Sequence, residues 1–231
     1  MRLKPIVTVL QFAGAGTYLL GVPALVLWLS GNWHWVAGWI FGIWFTATMG
    51  TCVLWLYYKD PALLAERFRR PGTGGQSRAD LAILTGIKVV AMAWFVVPPL
   101  DVRFHWTPRL PLWSKAMAAI LLPLGSFFVF RAFTDNPFLS PLVRIQTERK
   151  HHLVDTGVYG VVRHPMYLGA SLMYVGAPLL LGSFCGLMVG IAMVLLLVIR
   201  IFGEEKLLMH DLEGYAAYRK KVRGRMLPGI W

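Results

Sequence analysis

The chain has 231 residues, of which 57% are hydrophobic and only 15% charged, and it carries a formal net charge of +12. Soluble globular domains average about 45–50% apolar and about 25% charged residues, so this composition excludes an ordinary soluble domain and indicates a membrane protein. Basic residues that face anionic lipid headgroups explain the positive charge, and we therefore expect no nucleic-acid partner.

Six apolar segments predict helices that cross a membrane. In chain order they cover about 6–29, 35–58, 81–100, 112–134, 166–181 and 184–202. Beyond them, apolar and aromatic residues from Leu207 to Tyr218 recur near helical spacing and predict an amphipathic helix. The expected fold class is therefore all-α: a polytopic integral membrane protein with about six transmembrane helices and a cytoplasmic C-terminal helix.

The positions of the Lys and Arg residues predict the orientation in the membrane. Most of the 23 basic residues fall before residue 6, between 59 and 78, between 131 and 163, or after 199, whereas Arg103, Arg109 and Lys115 fall on the opposite side. Lys and Arg in short loops stay on the cytoplasmic side. We therefore expect both termini, and the polar clusters described next, to face the cytoplasm.

Two polar clusters flank the last pair of predicted helices. Arg163 and His164 precede the fifth apolar run and Tyr167 lies at its start, whereas Arg200 lies near the end of the sixth run and Glu204 and Glu205 follow it. Two helices that cross the membrane and return would bring both clusters to one surface, where they would form a single candidate site.

Structural readings of these residues stay open at this point. Arg200 and Glu204 are four residues apart and could form an ion pair on one helix face. His164 precedes Pro165, a residue favoured at the start of a helix, so His164 could serve only as a cap. His151 and His152 could be solvated loop residues.

The combination resembles a known family, the isoprenylcysteine carboxyl methyltransferases and their phospholipid methyltransferase relatives. The resemblance covers roughly residues 137–228. It rests on His151-His152-Leu153-Val154, Gly157-x-Tyr159, Arg163-His164-Pro165-x-Tyr167-x-Gly169, Arg200-x3-Glu204-Glu205, Tyr215, Tyr218, Val222 and Pro228. The chain is accordingly expected to be a single membrane domain, with a four-helix part at 1–134 and a methyltransferase-like, cofactor-binding part at 135–231.

The resemblance implies an S-adenosyl-L-methionine-dependent methyltransferase whose product is S-adenosyl-L-homocysteine. By matching positions, the cofactor would be lined by His151, His152, Leu153, Val154, Tyr159, Arg163, His164, Pro165, Met166, Tyr167 and Glu204. Arg200 matches a position tied to the reacting end of the substrate, and His164 or Glu205 is expected to act as a base where the acceptor is an amine. We expect no metal.

The expected acceptor is lipophilic: a small molecule, a lipid or a lipidated substrate, most simply an isoprenylcysteine-like carboxylate. Methylation of a phospholipid amine is the first alternative. An NADPH-dependent sterol reductase is the second, although that family usually has Asn and Glu where this chain has Met166 and Ala170. A transporter is disfavoured because its polar groups would lie near mid-membrane. The segment 136–146 resembles bacterial members of the wider family, so we expect a bacterial inner membrane.

Overall fold

The helices of the bundle follow the apolar segments of the sequence. The computed structural model describes residues 9–69, 72, 78–108 and 110–231; Arg109, Arg70 and the first residues of the first predicted span lie outside the described residues. Within these ranges the α-helices are α1 (Val9–Ser30), α2 (Val36–Lys59), α3 (Pro61–Arg67), α4 (Arg78–Phe104), α5 (Trp113–Asp135), α6 (Pro165–Leu181), α7 (Phe184–Asp211) and α8 (Tyr215–Lys221).

The all-α, polytopic membrane fold expected from the sequence is confirmed. Five helices, α1, α2, α4, α5 and α7, are long and apolar enough to cross a membrane. The sixth predicted span is α6, which is apolar but has only 17 residues. No strand occurs in the described part of the chain. The division at residue 134 stays a prediction, although α5 does end at Asp135.

The predicted amphipathic tail helix is wrong as a single element. Residues 207–211 continue α7, which runs well past the predicted end of the sixth span at 202. Gly214 then adopts a φ of 81°, a left-handed conformation that interrupts the helix and that glycine adopts without steric cost. Helix α8 begins at the next residue and is the expected C-terminal helix.

The packing of α6 against α5 depends on two glycines that face each other. A Cβ atom on Gly169 would lie 2.7 Å from the Gly125 carbonyl oxygen, and one on Gly125 would lie equally close to the Gly169 carbonyl oxygen. Only residues without a side chain allow two helix backbones to approach this closely. The contact fixes the height and rotation of α6, and therefore the position of the polar residues at its start.

A tight turn joins α6 to α7. Gly182 ends α6 with a φ of 79°, and the Ser183 hydroxyl accepts a hydrogen bond from the Gly186 amide at the start of α7. The same hydroxyl donates to the buried Asp101 carboxylate of α4. The two helices return side by side, so the start of α6 and the end of α7 lie at one end of the bundle, as the sequence predicted.

The connection from α5 to α6 covers that same end of the bundle. It contains only two short 3-10 turns, Thr147–Arg149 and Gly157–Gly160. Arg144 of this connection forms an ion pair with the buried Glu66 of α3, at 2.8 Å between Nη2 and Oε2. The Gln146 side chain is completely buried and donates to the Phe138 carbonyl. These contacts hold the connection as a wall beside the ends of α6 and α7.

Candidate active site

A cleft of about 810 Å³, measured with its open mouth, lies where the α5–α6 connection meets the start of α6, the end of α7 and α8. The positions that sequence reasoning predicted to line a cofactor all line this one cleft: His151, His152, Leu153, Val154, Tyr159, Arg163, His164, Pro165, Met166, Tyr167 and Glu204. Their role in binding a cofactor stays a prediction.

The wall also contains residues that the sequence-based site did not include. They are Asn136, Phe138, Leu139, Ser140, Leu142, Val143, Arg144, Leu207, Leu208, Leu212, Tyr215 and Tyr218. A signal existed for some of them, since Tyr215 and Tyr218 belong to the recognised pattern. The sequence predicts only an amphipathic face for Leu207, Leu208 and Leu212, because periodicity does not distinguish a lipid-facing stripe from the wall of a cleft.

Glu204 and Tyr167 connect the two helices of the hairpin at the cleft. The Tyr167 hydroxyl donates to Glu204 Oε2 at 2.8 Å. The ring of His164 stacks on the ring of Tyr167 with 5.6 Å between centroids and 12° between planes. The carboxylate is therefore held in place while it still faces the cleft.

Glu205 lies beside the cleft without lining it, and is instead the centre of a buried ion cluster. Its Oε1 lies 2.7 Å from Arg163 Nη2 and 3.4 Å from His164 Nε2, and its Oε2 accepts from Arg225 Nε at 2.9 Å. Both oxygens are thus engaged by cations. This geometry orients Arg163 and His164, and the base role expected for Glu205 stays a prediction with no lining position to support it.

The segment after α8 completes the same cluster through its backbone. Arg163 Nη1 donates to the carbonyls of Val222 and Arg223, at 2.6 and 2.8 Å. The Arg163 and His164 amides donate to the carbonyls of Gly224 and Arg225. Arg163 and His164 are consequently fixed by residues about 60 positions later in the chain.

Arg200, predicted to act on the substrate, is buried next to the cleft and does not line it. Its Nη2 donates to the Pro141 carbonyl of the α5–α6 connection. Its Nε lies 3.6 Å from Asp80 Oδ1, which is an ion pair too long for a hydrogen bond. Arg200 of α7 is thus linked both to α4 and to the α5–α6 connection beside the cleft.

His151 is neutral near pH 7. Its ring stacks on Phe138 with 4.5 Å between centroids and 25° between planes. Burial lowers the pKa of His151 to about 4, and the nearby charges of His152, Arg149 and Arg144 lower it further in the same direction. Nδ1 of this neutral imidazole accepts a hydrogen bond from the Gln146 amide at 3.4 Å, so Nε2 carries the proton and is the nitrogen left to donate to the cleft.

The polar atoms of the cleft fit a ligand that is part apolar and part polar. The hydroxyls of Tyr159 and Tyr215 are buried and have no hydrogen-bond partner among the described residues, with the Asn136 side chain a polar neighbour of the former. Burial raises the pKa of both tyrosines, so both keep the proton. Unpaired buried donors of this kind are costly unless a ligand or water satisfies them. Leu207, Leu208 and Leu212 supply apolar surface beside them.

The chain is similar to known proteins by sequence and by structure. Residues 113–213 match the phospholipid methyltransferase family model. A protein-S-isoprenylcysteine O-methyltransferase of Schizosaccharomyces pombe is 35% identical over 85 residues, which cover 36% of this chain and 36% of that protein. A solved structure of the eukaryotic intramembrane Ras methyltransferase, isoprenylcysteine carboxyl methyltransferase, aligns over 97% of this chain and 88% of that chain, at 18% identity and a TM-score of 0.47.

The fold and the cleft define a helical integral membrane protein with a polar and apolar cleft at one end of its bundle. Over its last helices the chain resembles the isoprenylcysteine carboxyl methyltransferase-like and phospholipid methyltransferase family, and the resemblance recognised from the sequence is confirmed. The chain matches about a third of the length of this curated relative.

Proposed function

We propose that this protein is an S-adenosyl-L-methionine-dependent methyltransferase that acts at the membrane on a lipophilic acceptor. The proposal rests on one observation, which is that the predicted cofactor-lining positions share one cleft. The positions matched to cofactor-lining residues come from the α5–α6 connection, α6 and α7, and they line the same space. A cleft with neutral His151, the Glu204 carboxylate, tyrosine hydroxyls and leucines suits a ligand with an aromatic base, hydroxyls and a cationic end.

The bound cofactor would supply a methyl group that is already activated on a sulfonium. The protein therefore has mainly to align the methyl donor with the acceptor and to exclude water. Glu204, fixed by Tyr167, places a negative charge in the wall where a cation would be favoured. The Tyr159 and Tyr215 hydroxyls offer donors to ribose or carboxylate oxygens. Leu207 and Leu208 of α7, and Leu212 just after it, keep water from the reacting centre.

The acceptor that we favour is a carboxylate on an isoprenylcysteine-like or other lipid-like molecule. A carboxylate needs no base, so Glu205 can remain in its ion cluster during the reaction. The buried Arg200 guanidinium lies next to the cleft and can orient a carboxylate through paired hydrogen bonds. The named activity of the Schizosaccharomyces pombe relative, an O-methyltransferase for S-isoprenylcysteine, supports this choice.

A phospholipid amine is the second candidate, because the matching family model carries that name. An amine must give up its ammonium proton before it can attack, and His164, which lines the cleft, is the base expected from the sequence. Incubation with methyl-labelled cofactor and a lipid extract separates the two candidates. Base-labile label would identify a carboxyl ester, and base-stable label in a headgroup would identify an amine.

The test of the cofactor site is a calorimetric titration of the purified protein with S-adenosyl-L-homocysteine. One molecule bound per chain is the expected result, and no measurable binding would overturn the proposed function. We further propose that the cleft faces the cytoplasm of a bacterial cell, because the basic residues cluster at that end. Cysteine labelling of an introduced residue near 152 from either side of the membrane tests that orientation.

A further inference from the structure

Arg67 lies near the cleft, because its neighbour Glu66 bonds to the cleft-lining Ser140 and Arg144. It comes from a part of the chain that the family model does not match. It is the last residue of the short helix α3. Asp60 caps that helix by accepting a hydrogen bond from the Leu63 amide at 2.9 Å. Leu63 and Leu64 are buried against α5 and α6. The end of α3 is therefore anchored, and the direction of Arg67 is fixed by packing.

The Arg67 guanidinium is held over an aromatic ring with a donor left unused. Its central carbon lies 5.2 Å from the centroid of the Phe133 ring of α5. The Nη1 atom is buried and has no hydrogen-bond partner among the described residues. A buried cationic donor without an acceptor is unfavourable and calls for an anion. Stacking on Phe133 covers a face of the guanidinium and leaves its in-plane donors available.

The electrostatic neighbours of Arg67 are residues of the proposed reaction site. Burial lowers the pKa of the Arg67 guanidinium; the positive charge of Arg200 lowers it further, and the hydroxyls of Tyr167 and Tyr159 oppose this. Arg200 also has a buried donor, Nε, without a hydrogen bond among the described residues. The two guanidiniums come from different helices, influence each other electrostatically, and each has a buried donor unmatched.

The carboxylates nearby are already committed to other groups. Glu204 accepts from the Tyr167 hydroxyl, and Asp80 forms an ion pair with Arg200. Apolar side chains, including Cys52, Val129 and Met173, surround the end of α3 and suit the hydrocarbon part of a lipid-like molecule. An anion with an apolar body fits this place better than a free inorganic ion does.

We propose that Arg67 binds the carboxylate of the methyl acceptor, together with Arg200. This inference rests on the proposed function and adds a residue of the N-terminal helices to the acceptor site. Two guanidiniums hold both oxygens of a carboxylate and thereby select an anionic acceptor over a neutral or cationic one. The four-helix part would then contribute to acceptor choice, and not only to anchoring in the membrane.

The first experiment compares two probes of the same shape, N-acetyl-S-farnesyl-L-cysteine and its carboxamide. Their binding to the protein in lipid nanodiscs is measured with S-adenosyl-L-homocysteine present. We expect the wild-type protein to bind the carboxylate at least about tenfold more tightly, and Arg67→Met to lose that preference, because hydrogen bonds to charged groups contribute this much. Lys59→Met, which removes an exposed charge at the end of α2, is the matched control and should keep the preference.

A second measurement needs no acceptor. Because Arg67 Nη1 is buried and unpaired, Arg67→Met should leave the midpoint of thermal unfolding of the ligand-free protein unchanged or raise it. An arginine with a purely structural role would give a lower midpoint on removal. The inference is overturned if wild-type protein binds the carboxylate no better than the carboxamide, or if Arg67→Met lowers the midpoint. Failure to bind S-adenosyl-L-homocysteine would instead refute the proposed function, so the two failures are distinguishable.

Discussion

Tyr167 and Glu204 are joined by a hydrogen bond of 2.8 Å although 37 residues separate them in the chain. The bond connects the start of α6 to the far end of α7. It forms because the intervening hairpin crosses the bundle and returns, so that both residues reach the same end. The hydrogen bond thus joins the two helices at the end of the bundle that contains the cleft.

Glu204→Ala should weaken the binding of S-adenosyl-L-homocysteine by roughly tenfold to a hundredfold, which corresponds to the loss of a charge-assisted hydrogen bond. Calorimetric titration measures the affinity. Glu213→Ala removes an exposed carboxylate close to the same helix and is the control, expected to bind as wild type does. Equal affinities in the two variants would remove Glu204 from the proposed cofactor site. His164→Ala is expected to weaken binding in the same assay.

Arg200→Lys should slow turnover more than it weakens cofactor binding. Lysine keeps the charge near Asp80 but cannot reproduce the planar fork that reaches both a carboxylate and the Pro141 carbonyl. The rate of transfer from labelled cofactor to N-acetyl-S-farnesyl-L-cysteine and the affinity for S-adenosyl-L-homocysteine are measured on the same sample. An unaltered rate would contradict the substrate role of Arg200.

Glu205→Gln should destabilise the protein strongly, by about 3–5 kcal/mol, because Arg163 and Arg225 would lose their buried counter-charge. The midpoint of thermal unfolding in detergent reports this change, with Glu213→Gln as the exposed control. A catalytic base would behave differently: its amide variant would keep the midpoint and lose only the activity. That pattern would restore the base role predicted from the sequence.

Gly169→Ala should destabilise the α5–α6 contact, since the new Cβ atom would lie 2.7 Å from the Gly125 carbonyl oxygen and 2.8 Å from the Val129 amide nitrogen. Gly203→Ala is a stringent control because a Cβ there meets nothing within 4 Å. In a helix interior that change is expected to be neutral or to stabilise by about 0.5–1 kcal/mol. Thermal unfolding of both variants checks the difference, and a higher midpoint for Gly169→Ala would refute the close contact.

His151 should stay neutral down to pH of about 4, and it should lower stability as the solution becomes acidic. Its folded pKa of about 4 lies below the ordinary value of about 6.5. The unfolded chain therefore binds more protons between these values, so stability is complete above pH of about 6.5 and is lost progressively toward about 4. NMR titration of the imidazole, assigned with His151→Asn, gives the midpoint. A midpoint near 6.5 would contradict the buried, stacked position.

Much of the fold follows from apolar segment length alone. Six apolar runs became six helices, because a helix is the element that satisfies its own backbone in an apolar medium. The end of α7 was misjudged for a physical reason. Polar residues such as Glu204 and Glu205 signal the membrane boundary, but they do not stop a helix whose backbone bonds continue in water.

The sequence predicts which residues line the cleft better than it predicts what each of these residues does. Recognition of the motif placed Glu204 and Glu205 together, yet adjacent residues on a helix point in different directions, and only Glu204 lines the cleft. The sequence alone does not predict the position of Arg67. Nothing in the spacing of α3 reveals that its last residue stacks on Phe133, since that contact depends on how α3 folds back against α5.

The pairing of the Gly224 and Arg225 carbonyls with the Arg163 and His164 amides has a consequence for biosynthesis. A growing chain that has inserted every helix of its bundle still has an incomplete cleft, because the Arg163 and His164 amides have no acceptors until residues 224 and 225 have been made. The cleft is thereby completed only after the helices of the membrane part are in place.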